Sequence, residues 1–264
     1  MGAKPYVGVT GVANKEEVEG VCRKFADTGY TMDSGRIPML GFLVSYETLN
    51  REKAPNRRYP NVDILPELLR ATRGSVLTMI HYRSRQVDTL SEQVNRLFNG
   101  IYENGLCRAI QFNIVWPDRG QIRDVKESFP GMSIVFCASE KTILNRSPRE
   151  LAEAIGDYGN LLDHCLIDPS GGRGIEFDLE RSLEIYLELR QAVPDLTIGF
   201  AGGFTCENTA SRLQDIAKRV GANFSIDAEG GLRDKITEKE GDDSLNIVKV
   251  EAYLKAASRI FERS

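Results

Sequence analysis

The sequence has no long hydrophobic run. Nothing in it approaches the roughly 20 consecutive apolar residues of a membrane-spanning helix. The start, Met1-Gly2-Ala3-Lys4-Pro5-Tyr6, carries neither an apolar signal region nor the Ser or Thr of a myristoylation signal. An excess of one charge is also missing: 34 Lys and Arg face 38 Asp and Glu, for a net charge of −4. That balance gives no basis for nucleic acid or an anionic membrane as a partner, so any anion site must be local. The five cysteines, Cys22, Cys107, Cys137, Cys165 and Cys206, are odd in number and widely spaced, with no pair at metal-ligand spacing. Free thiols in a cytoplasmic protein are expected, with no metal and no cofactor. The dinucleotide fingerprint GxGxxG is absent too, because Gly8-Val9-Thr10-Gly11 has the wrong spacing. No linker or low-complexity stretch interrupts the chain.

Along the whole length, β-rich apolar runs alternate with amphipathic helical patterns. Strands are predicted near Tyr6–Thr10, Met39–Ser45, Val76–Tyr82, Ala109–Trp116, Ser133–Ala138, His164–Asp168, Thr197–Ala201 and Asn223–Asp227. They read as continuous apolar runs, as strands buried on both faces do. Asn14 and Asp178 are placed to cap helices, Asn208 starts another, and Ile247, Val250, Leu254, Ala257 and Phe261 give the last helix one buried face. Eight such units predict a single-domain (β/α)8 TIM barrel over residues 1–264. Two long loops, Glu47 to Asn61 and Ala228 to Asn246, then fall on the carboxyl-end face where barrels place their chemistry.

Three strand-then-glycine turns stand out: Ile167-Asp168 followed by Gly171-Gly172-Arg173-Gly174, then Ala201-Gly202-Gly203, then Asp227-Ala228-Glu229-Gly230-Gly231. A carboxylate that ends an apolar strand is partly desolvated, and desolvation moves its pKa toward useful acid–base range. Asp168 is therefore the first catalytic candidate. Gly202-Gly203 and Gly230-Gly231 can present backbone amides to a phosphate, which barrels commonly hold between the loops after strands seven and eight. Thr10, Tyr46, His81, Arg83, Asn113, Cys137 and Asp227 also lie at strand ends. His164, near the start of its strand, reads as structural. Arg57-Arg58 in the first long loop can neutralise a substrate carboxylate.

In order and spacing, these motifs resemble phosphoribosylanthranilate isomerase. The resemblance is carried by Gly8-Val9-Thr10-Gly11-Val12-Ala13-Asn14, Gln111-Phe112-Asn113, Ile167-Asp168 with Gly171 to Asp178, Gly202-Gly203-Phe204-Thr205-Cys206-Glu207-Asn208, and Ile226-Asp227-Ala228-Glu229-Gly230-Gly231. It implies a sugar-phosphate isomerase with a small phosphorylated metabolite as partner. Asp168 would be the general acid; Gly202, Gly203 and the loop at Gly230, with Gly172 and Gly231 nearby, would bind phosphate and substrate; and Arg58 would take the substrate carboxylate. The departure is Thr10, where the family has a cysteine base: a hydroxyl titrates far too high for that task. Gly8 replaces the family's lysine. Cys137, His81 and Asp227 are the candidates for the missing base. The alternatives are another sugar-phosphate epimerase or lyase, and a non-catalytic relative that keeps the phosphate pocket.

Overall fold

The computed structural model describes residues 3–144, 146–170, 178–237 and 241–261. Eight parallel strands close on themselves in chain order: β1 Tyr6–Thr10, β2 Ile37–Ser45, β3 Leu77–Arg83, β4 Ala109–Phe112, β5 Ser133–Ser139, β6 His164–Asp168, β7 Thr197–Ala201 and β8 Ser225–Ala228. The helices are α1 Lys15–Asp27, α2 Tyr46–Leu49, α3 Leu65–Ala71, α4 Leu90–Phe98, α5 Arg119–Ser128, α6 Glu140–Ile143, α7 Pro148–Gly156, α8 Leu179–Ala192, α9 Thr209–Val220 and α10 Ile247–Phe261. This is the (β/α)8 barrel expected from the alternation of the two periodicities.

Local chemistry explains where elements begin and stop. The Asn14 side chain accepts from Glu17 N and starts α1, and Asp178 accepts from Arg181 N to start α8. Asn208 starts α9 as expected, standing at its N-cap position, but not through a capping bond. Its side chain accepts from Thr205 N and donates to Gly203 O, so it braces the loop after β7 rather than capping α9. Strand β4 is also shorter than its apolar run. Pairing with β3 ends at Phe112, and Trp116 adopts a φ of 54° before Pro117, which cannot donate to a sheet. Beyond the strand, Ile114 is buried and Trp116 packs on Phe136 with ring centroids 5.5 Å apart, while Val115 is exposed. The loop after β8 folds back as an antiparallel pair, β9 Arg233–Lys235 with β10 Asp243–Leu245.

Side chains alternate along each strand. Val7, Leu40, Phe42, Ile80, Phe112, Phe136, Ile167, Phe200 and Ile226 face the helices and are fully buried. Tyr6, Met39, Met79, Ala109, Val135, Leu166 and Ala201 fill the barrel interior. The pairing register, stepped by one residue per strand, sorts the interior into layers of four from alternate strands. Gly8, Met79, Val135 and Gly199 form one. Above it lie Gly41, Gln111, Leu166 and Asp227, then Thr10, His81, Cys137 and Ala201, then Leu43, Asn113, Asp168 and Glu229 at the mouth. The barrel thus turns from apolar to polar toward the carboxyl ends.

The last helix closes the structure at β1. Tyr253 is fully buried and its hydroxyl donates to Gly8 O at 3.1 Å. Tyr253→Phe keeps the ring and leaves that carbonyl without its side-chain donor. It is expected to cost about 1 kcal/mol in urea unfolding, and an unchanged midpoint would show the bond to be worth nothing in the fold.

Candidate active site

Asp168 ends β6 at the mouth, half-buried. One of its oxygens accepts from Ser170 N at 3.1 Å and from Ser170 Oγ at 3.2 Å, a short local turn that fixes the carboxylate. The neighbouring loop comes close only because residue 202 is glycine. A Cβ there would overlap Ser170 Oγ and lie 2.7 Å from Asp168 Oδ1, and its φ is +84°. Gly202 therefore provides clearance for the Asp168 turn. Gly231 has a similar role: a Cβ on it would collide with Phe204 O, so the loops after β7 and β8 touch backbone to backbone at that point. Among the described residues, no acceptor lies within hydrogen-bonding reach of the N–H of Gly203 or of Gly230. Gly172 and the rest of the glycine stretch after β6 lie outside the described residues.

Below the mouth, Thr10 Oγ donates to Asp227, with both carboxylate oxygens at 2.9 Å. Gly8, on the neighbouring strand, makes room for that carboxylate, since a Cβ there would sit 2.6 Å from Asp227 Oδ1. Asp227 is 6% exposed. Burial pushes its carboxyl well above the usual range against the pull of the Thr10 hydrogen bond, and the charges of Glu229 and Asp168 push it further.

The other two candidate bases do not titrate as a base must. Cys137 is buried, and burial, with Asp168 nearby, pushes its thiol well above the ordinary value, so no thiolate forms near neutrality. His81 is 2% exposed, and burial brings it down to about 3, which keeps the imidazole neutral and weakly basic. Its Nε2 has no partner among the described residues, and neither does Gln111 Oε1 in the layer beneath it.

Arg58 does reach the mouth, carried there by the loop after β2, but it is already engaged. Its Nη1 lies 2.7 Å from Glu229 Oε1, its Nε lies 3.0 Å from both oxygens of Asp243, and its Nη2 also pairs with Asp243. Arg233 completes the cluster. It pairs with Asp243 through Nε and donates to Gly11 O at 2.9 Å and Arg57 O at 2.7 Å. A substrate carboxylate would have to share Arg58 with Glu229. Burial raises Glu229 to about 7, in spite of the opposing Arg58 contact. The sequence reading had not singled out Glu229, Arg233 or Asp243. The signal it held was the acidic residue between two glycine-rich turns at Ala228-Glu229-Gly230. Among the described residues, no group of three or more His, Cys, Asp or Glu has metal-holding geometry.

Two outcomes follow from this geometry. Gly202→Ala forces Asp168 and Ser170 aside and strains the backbone, so it is expected to lower stability by about 1–3 kcal/mol. A variant that melts like the parent would mean that the turn adjusts freely. For Asp227, the folded-state pKa lies above the unfolded one, so its contribution is greatest at acid pH and fades as pH rises through the folded value. Asp227→Asn removes that dependence. The variant is expected to gain stability relative to the parent as pH rises from 4 to 8. His81, whose pKa is lowered, acts in the opposite sense and is common to both proteins. Parallel stability–pH curves would show that Asp227 titrates normally.

No protein-family model matches the chain, and no curated protein does. Solved structures match it in fold. A phosphoribosyl anthranilate isomerase from Thermus thermophilus aligns with a TM-score of 0.60 at 17% identity, over 97% of this chain and 99% of that one. A phosphoribosyl anthranilate isomerase in complex with reduced 1-(O-carboxyphenylamino)-1-deoxyribulose 5-phosphate aligns at 0.57 and 14% identity, over 97% and 99%. The tryptophan synthase alpha chain from Legionella pneumophila aligns at 0.59 and 11% identity, over 98% and 92%. Identities this low establish a shared (β/α)8 fold.

Proposed function

We propose that this protein is a cytoplasmic isomerase of a small phosphorylated sugar, related in mechanism to phosphoribosylanthranilate isomerase, with Asp168 as general acid. The observation that supports this reading is the placement of Asp168 at the end of β6, against Gly202, while the amides of Gly203 and Gly230, without an acceptor among the described residues, stand in the next two loops. Two N–H groups with no acceptor among the described residues suit an anion, and at Gly203, which is buried, an unmade hydrogen bond costs about 1–3 kcal/mol. A carboxyl group beside that anion site is placed to protonate a ring or carbonyl oxygen of a sugar whose phosphate is held there. The structural neighbour with a deoxyribulose 5-phosphate derivative is in keeping with a ligand of that size and charge.

Thr10 supports a second reading. Its hydroxyl is spent on Asp227, and a chain without the strand-one base can survive as a phosphorylated-metabolite binder. Asp168→Asn separates the two. In an isomerase, turnover of a sugar phosphate is expected to fall by about 10²-fold or more while inorganic phosphate binding in calorimetry stays the same. A parent protein that binds inorganic phosphate yet turns over no sugar phosphate would support the binder. Phosphoribosylanthranilate itself is expected to be a poor substrate, because the usual base is absent. Gly203 has a φ of 65°, so replacing it with a bulky residue is expected to strain the turn as well as weaken phosphate binding, and unchanged affinity in the folded variant would displace the anion site from these loops.

A further inference from the structure

We propose that Glu229 is the general base of this site, set beside Asp168 at the barrel mouth with only β7 between their two strands. The inference rests on the isomerase reading above and supplies the residue that reading lacks. The stagger of the strands places Glu229, one residue beyond β8, in the same interior layer as Leu43, Asn113 and Asp168. Its stem leans toward β1: a Cβ on Gly11 would lie 3.4 Å from Glu229 Cγ. Glu229 therefore follows the Val9–Ala228 pair as the neighbour of Thr10 along the ladder, at the corner where a residue on β1 would act if it could ionise.

The rest of the neighbourhood leaves Glu229 free to work. Asp227 is the nearest rival, but it lies two layers deeper, beneath Thr10, whose hydroxyl is bonded to it. The Glu229 side chain keeps 18% of its surface. Arg58 holds Oε1, and among the described residues nothing hydrogen-bonds Oε2. That oxygen can receive a proton without breaking an existing bond. Arg58 is anchored independently by Asp243, which Arg233 holds in turn, so the guanidinium stays in place when Glu229 is neutral. The charged and titratable groups around Glu229 are Arg58 and Tyr59 from the loop after β2, Arg233 and Asp243 from the β9–β10 pair, Cys137 from β5, Asp168 from β6 and Asp227 from β8. Burial and the neighbouring carboxylates favour the proton, and the arginines oppose them. The balance, at about 7, makes the carboxylate available and basic near neutrality.

The step balances without a co-reactant. Glu229 takes the proton from carbon 2 of the open-chain aldose phosphate, and the C–H electron pair forms the carbon–carbon double bond of an enediol as Asp168 protonates the carbonyl oxygen. Glu229 then returns the proton to carbon 1, and Asp168 recovers one from the oxygen on carbon 2. A ketose phosphate results, with no net oxidation.

Proton NMR in deuterium oxide tests this on the full chain, with ribose 5-phosphate, ribulose 5-phosphate and phosphoribosylanthranilate as probes. The parent is expected to exchange the hydrogen at the isomerising carbon of at least one of them. If it exchanges none, the isomerase reading and the proposal fall together. Given exchange by the parent, Glu229→Gln is expected to slow it by 100-fold or more, with inorganic phosphate affinity unchanged and the acid limb of the pH–rate profile near 7 lost. Exchange within fivefold of the parent would overturn Glu229 and leave the isomerase reading standing. Glu229→Asp keeps the charge for Arg58 and guards against misfolding of the neutral variant. It withdraws the carboxylate by one methylene and is expected to slow exchange at least tenfold while retaining the pH limb. A Glu229→Asp variant as fast as the parent would count against a base at this position.

Discussion

The stagger of a closed eight-stranded barrel is the constraint on which the rest of this site depends. Strands that pair in register must tilt to close, so residues at one height come from alternate strands and lie one step apart in register. Asp168 and Glu229 are 61 positions apart in the chain, yet that stagger sets them in one layer. The same rule places Asp227 two layers lower, under Thr10. Neighbouring carboxylates on β8 thus have different environments: Asp227 is sealed and bonded to a hydroxyl, while Glu229 is at the rim and bonded to an arginine. Strand alternation explains why both point inward, and depth explains why they differ.

The ion cluster over β8 depends on the barrel in turn. Arg58 and Arg233 against Glu229 and Asp243 is a balanced set, and balance is what makes burying such charges tolerable. It ties the loop after β2 to the β9–β10 pair across the mouth. Removing one member would leave an uncompensated buried charge, a larger penalty than losing a surface pair. Asp243 is bonded by both arginines, which hold its carboxyl below the usual range in spite of burial, whereas Glu229 has one arginine and two carboxylate neighbours and is raised. The cluster therefore contains one acid whose pKa is lowered and one whose pKa is raised.

The fold was legible because its signals are periodic and local. Apolar runs at βα spacing, caps at Asn14 and Asp178, and the glycine turns after β7 and β8 all survive into the structure. Asp168 was legible for the same reason, as the polar end of an apolar strand. Trp116 was misread because an apolar residue in a loop looks like a strand residue until its partner, Phe136 on the next strand, is known. Glu229 and Arg233 were invisible because their meaning lies in partners 171 and 10 positions away. The glycines were visible but carried two possible meanings. Gly202 and Gly231 make room for neighbouring atoms, and the amides of Gly203 and Gly230 have no acceptor among the described residues.

The departures from the resembling family form one connected exchange. A lysine side chain at position 8 would occupy the space now taken by Asp227, and glycine there lets the carboxylate descend beside β1. Thr10, in place of a cysteine, donates to that carboxylate and so makes its burial tolerable. The strand-one position is committed to Asp227, which leaves the space above it to the next side chain of that edge. The residue above is Glu229, which follows Ala228 on β8 and packs against Gly11. Gly8, Thr10, Asp227 and Glu229 are thus physically coupled. Restoring a cysteine at position 10 alone would remove the hydroxyl that satisfies a buried carboxylate, without restoring the charge environment a thiolate requires.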